Sequence, residues 1–257
     1  AITCDRPVPT FVGPTVDQSA EAVGRNVAEL INDGDCLQIG IGMIPGAVLN
    51  ALTTKNDLGI HSGLISDAVM CLAEAGNISG RYKKQDREKI VTGTTLGSES
   101  LIHWAGSVPD LRIRPVSYTH DIGVIMEIDS FVSVNSAIEV DLFGQVSADM
   151  LGGRQWTGPG GATDMMRGAA LSNGGRSIIA LKSTTSSGGK SRIVAALDRN
   201  TAATALRTDI DYVVTEYGAR HIRHLSVSGR AEALIELASP VFRTQLRDEW
   251  KSLMTPI

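Results

Sequence analysis

The sequence predicts an α/β fold, built on an open mixed or mostly parallel sheet with flanking helices. Short apolar, β-branched runs alternate with segments of helical periodicity, which is typical of strand-helix-strand units. A chain of 257 residues with 42% hydrophobic content is long enough to bury a full core. We therefore expect one α/β domain, or two closely fused lobes, over residues 16–257, after an extended, proline-rich N-terminal arm over residues 1–15.

The first half of the chain predicts a repeating order of elements. A helix is expected over about residues 16–32, because Val23 and Val27 share one face and Gly34 follows its end. A buried strand at 37–41 leads into a helix at 44–52, where Pro45 suits the first turn. The pattern continues with a strand at 59–62, a helix at 67–75 closed by Gly76, a strand at 89–95 and a helix at 98–105.

The second half predicts a strand hairpin followed by further alternation. Residues 131–138 are apolar and β-branched, residues 141–144 supply turn chemistry, and residues 145–146 begin the return strand. Asp164 is placed to begin a helix. Strands are then expected at 177–181, 192–197 and 212–215, with a final helix over about 229–238.

Composition excludes several classes of function. With 24 basic and 28 acidic residues the formal net charge is -4, so no electrostatic footprint for nucleic acid is present. No apolar run approaches the roughly 18 residues of a membrane span, and the first residues do not read as a signal peptide. A cytoplasmic protein with reduced thiols is the expectation.

Cysteine and histidine spacing argues against a disulfide framework or a metal site. Cys4, Cys36 and Cys71 are odd in number and widely separated, and the last two are expected to be core residues. A nucleophilic role for Cys71 is the less favoured alternative. His221 and His224 are spaced i, i+3 without a third ligand, so no metal is expected.

The most informative stretch joins the predicted hairpin to a glycine-rich loop. It reads VSVNSAIEVDLFGQV at 132–146 and GGRQWTGPGGATDMMRG at 152–168. Gly158, Gly160 and Gly161 allow backbone amides to approach a ligand closely, and the following helix directs its positive end to the same place.

These two segments resemble the C-terminal half of the acetyl-CoA hydrolase/transferase family. The same resemblance is carried by LQIGIGMIPGAVL at 37–49, DLGIHSG at 57–63 and DYVVTEYG at 211–218, and it runs in unbroken order from about residue 23 to about residue 246. The resemblance implies coenzyme A or acyl-CoA as substrate, a small-molecule acceptor, no metal, and a cleft between two similar α/β halves.

The resemblance covers only the second of those halves, which implies a missing partner. We expect a second subunit similar to the family's N-terminal half, with the segment from Pro7 to Pro14 as a strap onto it. A homodimer or a fragment would also explain the length.

One position departs from the resembled family at the centre of its chemistry. After the His-Ser pair the family carries a glutamate that attacks the acyl-CoA thioester, and here that position is Gly63.

Three hypotheses about the function stay open. The first, narrowly preferred, is a CoA-transferase subunit that moves CoA to a carboxylate, with the glutamate supplied by a partner or lost. The second is a direct acyltransferase or thioesterase, which Gly63 favours because it opens space where the nucleophile stood. The third is a non-catalytic CoA-binding subunit.

The resemblance also implies roles for other residues near the thioester. Asn135 would lie beside the acyl group, although its amide could instead make a structural hydrogen bond. The amides of Gly160 and Gly161 would cradle the thioester oxygen. Glu216 would lie in the active-site cleft, with a carboxylate held by loop amides as an equal alternative.

A last set of residues would bind the CoA moiety. Gly40 and Gly42 stand at the exit of the first predicted strand, in a partial glycine fingerprint that is weak evidence by itself. Arg154, Lys190 and Arg192 supply cations for the CoA phosphates, although exposed cations near glycine loops are usually only surface residues.

Overall fold

The structure, a computed structural model, describes residues 8–255, so the first seven residues of the predicted arm lie outside the described part. Residues 8–17 form neither helix nor strand. The Phe11 amide donates a hydrogen bond to the Gly97 carbonyl at 2.8 Å, which places this part of the arm beside the loop that precedes the helix Glu99–Ser107. Its role as a strap stays a prediction, as does the domain boundary at residue 15.

The described residues form one large sheet and two small ones. The strands are β1 (Cys36–Ile39), β2 (Gly59–Ile65), β3 (Ile90–Thr95), β4 (Leu111–Ile113), β5 (Phe131–Ser136), β6 (Glu139–Asp141), β7 (Val146–Ser147), β8 (Met150–Leu151), β9 (Arg154–Gln155), β10 (Arg176–Ala180), β11 (Ile193–Val194), β12 (Tyr212–Thr215) and β13 (Gly218–His221). The large sheet has the order β13-β12-β10-β5-β1-β2-β3-β4. Every pair in it is parallel except β12 with β13, which confirms the predicted fold class.

Helices cover both faces of the large sheet. They are α1 (Gln18–Ala28), α2 (Met43–Asn50), α3 (Asp67–Glu74), α4 (Glu99–Ser107), α5 (Val116–Thr119), α6 (Ile122–Met126), α7 (Ala162–Leu171), α8 (Val227–Leu237) and α9 (Pro240–Met254). None of those within residues 8–255 is long and apolar enough to cross a membrane.

The alternation of side chains along the strands sorts residues between the two faces. Leu37 and Val132 point to one face, where α1, α2 and α3 complete the main apolar core. Cys36 and Phe131 point to the other face and pack with α6 and α7. Since every residue of β1 is buried, its sequence reads as a continuous apolar run interrupted only by Gln38.

A further apolar cluster joins the small sheet of β11, β6 and β7 to the large sheet. It is formed mainly by residues of α8, β10 and β12 and their flanking loops, including Leu181, Val213 and Leu234. β10 and β12 contribute residues both to the main apolar core and to this second cluster. The second cluster therefore packs directly against the large sheet.

The parallel strands direct two helix N-termini to one edge of the sheet. α2 starts directly after β1, and α7 leads back to β10, so both begin at the carboxyl ends of the strands. Their N-cap residues are Gly42 and Gly161, and no side chain caps the first-turn amides of either helix. This edge is where ligands bind in open parallel sheets.

Several sequence-based expectations need correction. The helix at 229–238 is not the last, because α9 follows it and begins with Pro240 in its first turn. Cys71 is exposed, since α3 buries Val69 and Leu72 instead, whereas Cys36 is buried as expected.

The return strand β7 pairs with the separate strand β6 and not with β5. Gly161, ahead of Asp164, is the N-cap of α7.

Candidate active site at the carboxyl edge of the sheet

The space above Gly63 is occupied by the imidazole of His120. Gly63 lies in β2 between Ser62 and Leu64, which pair with Thr92 and Thr94 of β3. A Cβ built on Gly63 would lie 2.7 Å from Cε1 and 2.8 Å from Nε2 of His120. The expectation that Gly63 opens empty space is therefore wrong, because a histidine ring fills that space.

The same ring lies against the start of α7. A Cβ on Gly161 would overlap Cδ2 and Nε2 of His120. His120 is the C-cap of the short helix α5, and its ring is partly exposed. Two glycines from different elements thus enclose one imidazole, and neither position accepts a side chain without displacing it.

Thr119 and His61 fix the backbone beneath this ring. His120 Nδ1 lies 2.9 Å from the Thr119 hydroxyl, and the Thr119 carbonyl lies 3.0 Å from His61 Nε2. His61 is only 1% exposed, and burial, assisted by the charge of Lys83, lowers its pKa to about 4. The imidazole of His61 is therefore neutral at neutral pH, and its Nε2–H donates to the carbonyl.

The ammonium group of Lys83 is also buried beneath the site. It donates hydrogen bonds to the carbonyls of Ile60 at 2.9 Å and Lys89 at 2.8 Å. Burial lowers its pKa. Lys83 therefore ties the loop before β3 to β2, close to His61.

Asn135 points from β5 to the same face of the sheet as Gly63. The two residues are separated by β1, so their strands lie about 10 Å apart. Asn135 Nδ2 donates to Ser133 Oγ at 2.8 Å and to Gln38 Oε1 at 3.2 Å. Its Oδ1 has only a long contact of 3.4 Å with Gln38 Nε2, which leaves this oxygen available to a ligand.

The glycine loop presents backbone amides at this edge. Gly158 and Gly160 are exposed, and a Cβ on either would meet nothing within 4 Å. Gly160 has φ +57°, a left-handed conformation that glycine adopts without strain. Gly42, at the start of α2, has φ +116° for the same reason, whereas a Cβ on Gly40 would meet Pro45 only at 3.9 Å.

The predicted cations lie further out, around a cleft of about 550 Å³. Lys190, Arg192 and Trp156 line it. Arg192 Nε donates to Thr184 O at 3.2 Å and its Nη1 to Ile138 O at 3.1 Å, so its guanidinium is held in place. Arg192 also borders a second cleft, of about 300 Å³, between Gly42 and the exits of β5 and β10.

Glu139 lines the larger cleft, and Arg154 lies against its lining residue Trp156. The exposed guanidinium of Arg154 stacks 5.0 Å from the centroid of the Trp156 ring. Burial, and then the negative charge of Asp198, raise the pKa of Glu139. No group of side chains in the described range 8–255 is arranged to hold a metal ion.

Comparison with known proteins decides the family. The family model of the acetyl-CoA hydrolase/transferase C-terminal domain matches residues 97–250. The chain belongs to the acetyl-CoA hydrolase/transferase family. Residue 63 lies before the matched segment, so the match does not depend on the residue at that position.

Relatives of this family member cover nearly all of its length. The 4-hydroxybutyrate coenzyme A transferase of Clostridium kluyveri is 43% identical over 97% of this chain and 58% of its own length. The structure of RipA from Yersinia pestis has a TM-score of 0.92 and 34% identity, with 96% of this chain and 56% of RipA covered. For the 4-hydroxybutyrate CoA-transferase of Porphyromonas gingivalis the TM-score is 0.83, the identity 39% and the coverages 98% and 59%. The chain spans a little over half the length of these relatives.

In this acetyl-CoA hydrolase/transferase family member, Glu216 holds a loop in place. Its Oε2 accepts a hydrogen bond from Ser183 N at 2.8 Å, and its Oε1 accepts one from Ser183 Oγ at 2.7 Å. Ser183 is fully buried, and both carboxylate oxygens are engaged. This geometry favours the alternative in which Glu216 fixes the loop after β10; a catalytic role for it stays a prediction.

Sequence reasoning missed His120. The sequence did carry a signal, because glycines at 63 and 161 leave room for a large neighbouring side chain. That the neighbour comes from residue 120 follows only from the packing of α5 against β2 and β3, which brings the His120 ring to Gly161 at the start of α7.

Proposed function

We propose that the protein containing this chain uses acyl-CoA thioesters and passes the acyl group directly to an acceptor, water first among them. The observation that carries this proposal is the absence of a carboxylate at position 63, where an imidazole occupies the space. Without that carboxylate, the covalent glutamyl-CoA route expected from the family resemblance lacks its nucleophile at position 63. Direct attack on the thioester by water or another acceptor needs no nucleophile from the protein.

The uncapped first turn of α7 supports a position for the thioester carbonyl. The amides after Gly161 have no capping side chain, and they begin beside the imidazole of His120. Backbone N–H groups at a helix start stabilise the negative oxygen that forms during acyl transfer. Asn135 Oδ1 would face the bound substrate from the neighbouring part of the edge.

The positive residues support a position for the CoA moiety. Lys190 and Arg192 would contact its phosphates in the 550 Å³ cleft, and Arg154 with Trp156 forms an exposed stacked pair at its rim. Gly40 and Gly42, with the start of α2, would approach the pantetheine arm closely.

The other side of the cleft is part of the same proposal. Because the chain spans a little over half of its relatives, we place the family's N-terminal half opposite this edge, on the same polypeptide or on a second subunit. A heteromeric assembly and a cytoplasmic location belong to this proposal.

Transfer of CoA to a carboxylate is the second candidate. The similarity to named CoA-transferases favours it, and it would require a carboxylate from the other half or a new position for Glu216. It shares the thioester site with direct transfer and differs in the products.

Product analysis by mass spectrometry separates these functions. The full-length protein, with whatever co-purifies, receives a panel of acyl-CoAs with acetate and simple amines in ¹⁸O-enriched water. Free CoA with a labelled acid, or with an amide, supports direct transfer. A new CoA thioester without label in the acid supports CoA transfer. Bound acyl-CoA that is never consumed would support a non-catalytic subunit and refute the proposal.

A further inference from the structure

We infer that His120 is the general base that activates the acceptor in this reaction. The inference rests on the proposed function and adds the residue that removes the proton. It depends on the position of one ring among three elements and on the orientation of its two nitrogens.

The position of His120 matches the place where the thioester would be attacked. Its Nε2 lies close to Gly63 of β2 on one side and to Gly161, the N-cap of α7, on the other. The amides expected to hold the carbonyl oxygen therefore begin beside the nitrogen that would take the proton. A base must lie within hydrogen-bond reach of the attacking group, directly or through one water.

The contacts of Nδ1 allow the tautomer in which Nε2 is the acceptor. Nδ1 lies 2.9 Å from the hydroxyl of Thr119, a residue with no exposed surface, and that hydroxyl lies 3.5 Å from the Pro115 carbonyl. The hydroxyl can therefore accept Nδ1–H while donating to Pro115. In this tautomer the lone pair of Nε2 faces the site, and the ring remains partly open to solvent.

The bonds of the reaction balance with water as the only co-reactant. Nε2 takes a proton from water as the water oxygen bonds to the thioester carbon, and the carbonyl oxygen becomes an oxyanion facing the α7 amides. When the carbonyl re-forms, the C–S bond breaks and the sulfur takes the proton from Nε2. The products are a carboxylic acid and CoA thiol, and His120 returns to its starting form.

A ring that only fills space would occupy the same place, so the experiment must separate chemistry from packing. The full-length protein and its His120→Ala, His120→Gln and His103→Ala variants are assayed for CoA thiol release from acetyl-CoA and butyryl-CoA. His103 is a matched control, because its side chain is 79% exposed on α4. Melting temperatures are measured for all four proteins.

We expect both His120 variants to lose at least 100-fold in kcat with folded, stable protein, and the His103→Ala variant to keep the wild-type rate. Added imidazole should restore part of the activity of His120→Ala, since that variant leaves a gap beside Gly63. A loss that imidazole does not restore would assign a packing role to the ring and overturn the inference. So would a His120→Gln rate within threefold of wild type.

The outcomes for the two proposals are distinguishable. A wild-type protein that releases CoA and labelled acid, with His120 variants that do so equally well, refutes the role of His120 and leaves direct transfer standing. A wild-type protein that makes only a new CoA thioester refutes direct transfer, and the inference falls with it.

Discussion

Restoring a carboxylate at Gly63 should destabilise the protein unless His120 is removed at the same time. A Cβ at this position would lie 2.7 Å from His120 Cε1, whereas ordinary contacts begin at 3.4 Å. The ring would have to retreat by about 0.7 Å, and Gly161 closes the opposite side. Overpacking of this kind costs about 1–3 kcal/mol in the free energy of unfolding.

The double variant should relieve that cost, because His120→Ala removes the obstructing ring. We therefore expect the effects of Gly63→Glu and His120→Ala to be non-additive, with a favourable coupling of about 1 kcal/mol or more. Gly106→Glu is a matched control: Gly106 is exposed in α4, and a Cβ there would meet nothing within 4 Å. It should leave the free energy of unfolding nearly unchanged.

Chemical denaturation measures the stability of the wild type and the four variants, and two further assays measure the chemistry. These are CoA transfer from butyryl-CoA to acetate, and inactivation by borohydride in the presence of acyl-CoA, which reduces a glutamyl-CoA thioester. Only the double variant is expected to gain both properties. A Gly63→Glu variant as stable as the wild type, or a double variant without coupling, would contradict this packing of His120 against Gly63. A stable double variant without a borohydride-sensitive thioester would show that the pocket no longer supports the covalent route.

Two other predictions concern His61 and Asn135. Because the folded pKa of His61 is about 4 against an ordinary 6.5, the unfolded chain binds its proton first as the pH falls. The free energy of unfolding should then drop by about 3 kcal/mol between pH 6.5 and pH 4. Urea titrations at several pH values should show that the free energy of unfolding depends less on pH in His61→Gln than in the wild type, and equally in His103→Gln. The same pH dependence in the wild type and both variants would contradict the lowered pKa of His61. Asn135→Ala should lower acyl-CoA turnover at least tenfold while the protein stays folded, as measured by thiol release and circular dichroism, since the amide would no longer face the acyl group. An unchanged rate would remove Asn135 from the site.

The parallel core of the fold was predictable because its strands are buried on both faces. β1 and β12 are apolar except for Gln38 and Thr215, and β5 is apolar except for Ser133, Asn135 and Ser136. The ends of all three strands lie within two residues of the expected positions. By contrast, α9 was not predicted, although Phe242, Leu246 and Trp250 recur at helical spacing and pack against the second apolar cluster. Short strands such as β13 form by pairing with one neighbouring strand, and no local sequence pattern predicts that pairing.

The candidate site was predictable only where backbone chemistry determines it. The glycines of the loop and the start of α7 follow from local sequence, and the structure brings them to the edge where β2 and β5 end. The roles of side chains depended on contacts far along the chain. Glu216 meets Ser183, and His120 meets Gly63 and Gly161, across separations that no local pattern encodes.

The enclosure of His120 by two glycines restricts the order in which substitutions could accumulate at this site. In its observed position the ring of His120 leaves no room for a Cβ at residue 63 or residue 161. A glutamate at 63, the residue that the family resemblance implies, and the ring of His120 in this position exclude each other. With the histidine in place, a change of Gly63 to glutamate is expected to meet the ring and lower stability. The packing therefore opposes the return of a side chain at 63, so a lineage that lost its carboxylate would retain the imidazole.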